Sequence, residues 1–181
     1  VVNGADNLVV DGASKAGNVS FLKAVGGTTA LNSLQVSGKT VTIDTGVFMQ
    51  PARPDYPALI VDGNLVVQSN SAAPLSEASA QTNFNPAGTP YLGATDSDTL
   101  DQYPCEIDGL VHVRGTFATI SGPTFRGAII CESAAATDAV SLGGTPLIVY
   151  DPSLATSPPM GYAKSVSMGV KAGTWKQVVG P

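Results

Sequence analysis

The chain has 181 residues and a net charge of −5, and only 13% of its residues are charged, against about a quarter in an ordinary soluble domain. Nine Lys and Arg, scattered along the chain, make no basic stripe, which excludes an electrostatic footprint for nucleic acid. No apolar run approaches the ~18 residues of a membrane-spanning helix, so any membrane attachment is expected through a segment upstream of Val1.

Gly, Ala, Ser, Thr and Val dominate, with 20 Gly and 13 Pro. Branched residues favour pleated surfaces, while Gly and Pro punctuate turns. Many short strands are expected. From the N-terminus the strand-like runs are Leu8-Val9-Val10, Val19-Ser20-Phe21, Leu34-Gln35-Val36, Val41-Thr42-Ile43, Leu59-Ile60-Val61 and Leu65-Val66-Val67. Each is too short for a helix.

Residues 68–104 interrupt this pattern with a Ser-, Ala-, Thr-, Asn- and Pro-rich stretch. Tyr103-Pro104 repeats the Tyr56-Pro57 lead-in to an earlier strand, so 68–102 is expected to be a loop inserted between two equivalent turns of a repeat. Trimming it should leave the core folded. The aromatic residues Phe84 and Tyr91 could nonetheless pin it to the flank of the sheet.

Beyond the loop, Gly109-Leu110-Val111-His112-Val113 recurs 18 residues on as Gly127-Ala128-Ile129-Ile130-Cys131, and a further 18 on lies Thr145-Pro146-Leu147-Ile148-Val149. An echo at 22 links Ile120–Phe125 to Leu142–Leu147. A period near 18 to 22 that tolerates insertions predicts a parallel β-helix, whose coils bury their apolar faces only by stacking. Val111, Ile129 and Leu147 should then form one ladder. The competing arrangement is an antiparallel sandwich with hairpins at Asp62-Gly63 and Asp108-Gly109. The expected architecture is all-β, a single right-handed parallel β-helix-like solenoid over 1–181. Residues 151–181 would be a C-terminal cap or tail, with Trp175 covering the open end of the core.

Two stretches carry family resemblances. Ala24-Val25-Gly26-Gly27-Thr28-Thr29-Ala30-Leu31-Asn32-Ser33-Leu34-Gln35-Val36 resembles the repeat of filamentous-haemagglutinin-like and autotransporter-type β-helices. Residues 103–160, through Asp108-Gly109-Leu110-Val111-His112-Val113-Arg114-Gly115, Ile120–Gly127, Tyr150-Asp151-Pro152-Ser153-Leu154 and Pro158-Pro159, are similar to bacterial exported surface proteins of the PilX-like, pilus-assembly-associated type found in planctomycetes. The resemblance implies a β-rich exported domain at the cell surface or in the periplasm, associated with a type IV pilus.

Few residues are placed for chemistry. His112 is the only histidine and alternates with Val111 and Val113, so it is expected to face solvent with no identifiable catalytic partner. Asp96, Asp98, Asp101, Glu106 and Asp108 form the densest acidic stretch, but the Gly and Glu of a Ca²⁺ loop are missing at the required spacing. A solvated turn region is the expectation there. Asp108 and Arg126 fall at equivalent positions of neighbouring coils, where an exposed ion pair is expected, although acidic groups with Arg in one groove are also what β-helix polysaccharide-degrading enzymes use. Cys105 and Cys131 lie 26 apart, out of step with an 18-residue coil, leaving both free thiols and a disulfide open. No catalytic, cofactor-binding or metal residue is assigned, and no cofactor is expected. The function expected is a non-enzymatic structural component whose partner is a protein or a cell-surface polysaccharide. The alternatives are a carbohydrate-binding or adhesive module, with Phe84, Tyr91 and Tyr103 as contact residues, a polysaccharide-degrading enzyme, or a filament former resembling the bactofilins.

Overall fold

The computed structural model describes residues 8–11, 17–21, 34–43, 46–51, 55–69, 74–134 and 139–162. In chain order the strands are β1 (Leu8–Asp11), β2 (Asn18–Phe21), β3 (Leu34–Ile43), β4 (Phe48–Met49), β5 (Leu59–Val67), β6 (Leu75–Ser76), β7 (Gln102–Tyr103), β8 (Glu106–Val113), β9 (Phe117–Thr119), β10 (Thr124–Cys131), β11 (Val140–Leu142) and β12 (Leu147–Tyr150). Two single helical turns, α1 (Glu77–Ala80) and α2 (Ser153–Thr156), complete the set. All strands except the antiparallel pair β6–β7 join one parallel sheet, curled into a half-barrel.

The pairings fall into three rows. In the first, β4, the start of β8, the start of β10 and β12 lie side by side. In the second, β1 and the first halves of β3 and β5 continue into the second halves of β8 and β10. The third row runs β2, the ends of β3 and β5, β9 and β11. The chain passes from first row to second to third and back again, so each pass lies on the one before.

Alternation within the strands explains the core. Side chains along a strand point to opposite faces, and β3 buries Leu34, Val36, Val41 and Ile43 while Gln35, Ser37, Thr40 and Thr42 stay half-exposed. In-register stacking brings these against Leu59, Val61, Leu65 and Val67, then Val111, Val113 and Phe117, in a single cluster with Ile107 and Phe125. Phe117 and Phe125, from different rows, meet edge to face with ring centroids 5.4 Å apart.

Corners between rows depend on glycine. Gly63 has φ +152, and a Cβ there would stand 1.7 Å from the Gly38 carbonyl oxygen. Gly127 has φ +144, with its Cβ position 2.1 Å from the Gly109 oxygen. Consecutive corners stack so closely that a side chain has no space.

The parallel pairing of Val111 with Ile129 matches the 18-residue shift and excludes the antiparallel hairpins at Asp62-Gly63 and Asp108-Gly109, which are corners instead. The second shift of 18 fails. Leu147 pairs with Thr124, a step of 23, because the connection from Cys131 of β10 to Val140 of β11 is five residues longer than that from Val113 of β8 to Phe117 of β9, and the echo at 22 is one residue short of this register. The two Tyr-Pro lead-ins are also inequivalent. Tyr56-Pro57 precedes Leu59, which pairs with Val111, whereas Tyr103-Pro104 precedes Glu106, which pairs with Phe48 in the first row. Residues 24–33, Trp175 and the rest of 163–181 lie outside the described residues.

Candidate functional site

Ile107 points into the core, so Glu106 and Asp108, on either side of it in β8, point to the outer face of the first row. Outward carboxylates are ordinarily solvated, yet Glu106 is only 1% exposed. Arg126 approaches it from β10, with Nε donating to Oε1 and Nη2 to Oε2, both at 3.2 Å. This two-pronged contact supplies the partners that burial of a carboxylate requires. The guanidinium is held more firmly protonated, chiefly by its hydrogen bonds to Glu106. Asp108, the register partner of Arg126, keeps its proton to higher pH than an ordinary carboxyl, first through burial and then through the charge of Glu106. The expected exposed Asp108–Arg126 pair is therefore replaced by a pair between buried Glu106 and half-buried Arg126.

Residues 74–104 form the cover on this face. Phe48, in β4, stacks on Phe84 at 5.3 Å between centroids and meets Tyr103 at 4.8 Å. Tyr91 closes the group edge-on to Phe48 and Tyr103. Burial, followed by the charge of Glu106, raises the pKa of the Tyr91 phenol. The rings proposed as contacts for a ligand are thus used to fasten the segment to the sheet.

The segment has its own polar centre. Glu77, fully buried at the start of α1, accepts hydrogen bonds from Phe84 N at 2.5 Å and Asp101 N at 3.2 Å. Carboxylate oxygens of Glu77, Asp96 and Asp101 all lie within 4.8 Å of one another. A hydrogen bond between Asp96 and Asp101, assisted by burial, raises the pKa of Asp101. Asp98 stands apart and accepts from Leu100 N, so the acidic stretch read from the sequence divides among three places.

On the outer face of the second row, His112 does point away from Val111 and Val113, but it does not face open solvent. Its side chain is 14% exposed, under the ring of Tyr162, whose hydroxyl is 2.5 Å from Nδ1. Nε2 lies 3.1 Å from Glu132 Oε1, an ion-pair distance without hydrogen-bond angles. Arg114 joins at 3.6 Å from Glu132 and 3.5 Å from Asp62. Burial, followed by the charge of Glu132, keeps the Tyr162 phenol protonated to higher pH, which opposes its use as a nucleophile. Met160 N also donates to the Asp55 carbonyl at 2.8 Å, so 160–162 lies as a strap along this flank.

No family model, curated protein or solved structure matches the chain.

Cys105 and Cys131 are not joined in a disulfide. Cys105 is buried, while Cys131 is half-buried with its sulfur 3.0 Å from the Gly115 carbonyl. Glu132 was within reach of sequence reasoning, because the 18-residue shift applied to Arg114 lands on it. Glu77 and Tyr162 carry no such signal, since each meets its partners through a loop of no fixed register.

Proposed function

We propose that this chain is a non-enzymatic structural component exported to the bacterial cell surface, built as a right-handed parallel β-helix with 68–102 inserted at one corner. Its work is done by shape, stacking and an outer surface that contacts a protein or a cell-surface polysaccharide, with a place beside the type IV pilus. The observation that carries this reading is the threefold row pattern: successive passes of chain lie parallel and in register, as coils of a solenoid do. Its ionic and aromatic groups fit the same role. Glu106–Arg126 and the Phe48 ring group fasten the inserted segment, and His112–Tyr162 fastens the strap.

Two measurements test the reading. Antibody labelling and protease shaving of intact cells should reach the native protein at the surface; a wholly cytosolic pool overturns export. Purified protein mixed with polysaccharides should release no reducing ends or unsaturated products; turnover abolished by Arg126→Met but retained by His112→Ala would instead make it an enzyme of the outer groove.

A further inference from the structure

The inward columns of the sheet run out at its C-terminal end. Ile148 continues the column of Met49, Ile107 and Phe125, yet it is 47% exposed. Val140 continues that of Val41, Leu65 and Phe117 and is 50% exposed. The second row stops a layer sooner. Its last described strand is the second half of β10, where Ala128–Cys131 pairs with β8 on one side, while β12 reaches only Thr124–Gly127. Ile129 and Cys131 pack against the core there but stay partly exposed.

Row order calls for a second-row strand after β12, and the described chain does not supply it. From Tyr150 the chain turns through α2 instead, and Met160 and Tyr162 lie against Asp55 and His112 on the outer flank. The cap expected over 151–181 is thereby narrowed to 163–181.

Three features single out 163–181 as what covers this end. The first is position. Tyr162 sits on His112, whose register partner in β10 is Ile130, so the segment starts about one strand spacing, ~4.8 Å, from the open edge. Its 19 residues can span up to about 60 Å. The second is charge. All 14 acidic residues lie in 1–162 with only six of the nine Lys and Arg, whereas 163–181 carries Lys164, Lys171 and Lys176 and no acid. Asp138 and Asp151 flank the uncharged stretch 139–150 in sequence, so a basic segment is drawn to this end and a second acidic copy is repelled from it. The third is pattern. Val166, Met168 and Val170 alternate with Ser165, Ser167 and Gly169, the period of a half-buried strand.

We propose that 163–181 docks on this end of its own chain as a basic cap, with Val166, Met168 and Val170 along Ala128–Cys131 and Trp175 laid over Val140 and Ile148. Those two side chains stand in the layer over Phe117 and Phe125, whose rings touch, so one indole can span both. The proposal rests on the solenoid reading above and deepens it. A capped end cannot receive the next copy, which makes the chain a finished unit and not a filament subunit.

Trp175 is the only tryptophan, so its fluorescence reports on the cap directly. The test is acrylamide quenching in the complete chain, beside Ile148→Lys, Val140→Lys and Leu92→Lys, with circular dichroism and sedimentation velocity on each. Leu92 is exposed on the inserted segment and serves as the control. In the unaltered chain and in Leu92→Lys, Trp175 should be shielded relative to the urea-unfolded chain, at every protein concentration. Ile148→Lys and Val140→Lys should keep their strand signal and shift Trp175 toward the quenching of the unfolded chain. A second measurement leaves the open end unaltered. Under mild oxidation, at least one of Val166→Cys, Met168→Cys and Val170→Cys should lock to half-buried Cys131, since neighbouring strands bring Cα atoms within disulfide reach, while Ser165→Cys and Ser167→Cys should not. Trp175 quenched as freely in the native chain as in urea overturns the proposal, as does shielding that survives both Lys changes in folded protein. Shielding that is lost as a dimer dissociates on dilution overturns it too, by assigning the end to a second copy. So does an absence of locking at all three apolar positions. Each of these failures leaves surface location untouched, because cell labelling reads that separately.

Discussion

Arg126 stands beside Asp108 in the sheet, yet its guanidinium crosses to Glu106, with both prongs at 3.2 Å. Two residues on one neighbouring strand thus divide the roles. Glu106 is buried and paired, while Asp108 is left half-buried beside both charges.

Removing half-buried Arg126 leaves the buried Glu106 charge uncompensated. Arg126→Met should cost about 3–5 kcal/mol in urea unfolding, whereas Glu106→Leu combined with Arg126→Met should recover most of that loss. A single variant within about 0.5 kcal/mol of the parent would show that Glu106 is solvated after all.

Asp108 gives a pH dependence of defined sign. Its carboxyl binds a proton more tightly in the folded chain than in the unfolded one. Its stabilising contribution is therefore complete below the ordinary Asp value of about 3.9 and is lost as pH rises through the folded value. Asp108→Asn should melt above the parent at pH 7, with the difference closing toward pH 3. A melting difference independent of pH would refute the assignment.

Closely stacked corners forbid a methyl group. Gly63→Ala should destabilise by about 1–3 kcal/mol or more, because both the backbone angle and the Gly38 oxygen oppose it. Gly88, which has nothing near its Cβ position, is the comparison, and Gly88→Ala should cost less. Thermal melts of the two variants decide the matter, and equal losses would mean the corners can relax.

The inserted segment is more than a loop to be closed. Replacing 70–100 with a short Gly-Ser linker changes closure entropy by only about 0.6 kcal/mol per halving of length. It also strips Phe84 and Tyr91 from Phe48 and uncovers Glu106. A loss of about 3 kcal/mol or more is expected, the scale of truncating a packed Phe. Adding Phe48→Thr to the shortened chain should improve its solubility. A loss near the closure value alone would restore the view of the segment as a passive excursion.

The sheet was legible where its physics is local. Alternating branched residues mark one buried face, and every strand-like run in the described residues lies in a strand. The short first-row contact at Phe48–Met49 and strands β9 and β11 were not seen, because two or three residues make no period. Step length was harder still. Gly109 and Gly127 recur at 18, but the next step of 23 is set by how many residues a corner absorbs, which no hydrophobic pattern records. The outer clusters were least visible. Glu77 and Tyr162 reach their partners through loops, and Glu106 reads as a surface acid until the segment above it is folded down.

The insertion also bears on how the chain reaches its fold. Leu59 and Val111 are sheet neighbours separated by 52 residues, whereas Val111 and Ile129 are separated by 18. Closing the longer span costs about 1 kcal/mol more in chain entropy. Strands before Val67 and strands after Glu106 can each zip up along short spans, and meeting across β5 and β8 is the long-range event. Assembly is expected to proceed as two local zippers followed by one docking step, with the rate governed by the span that 68–104 introduces.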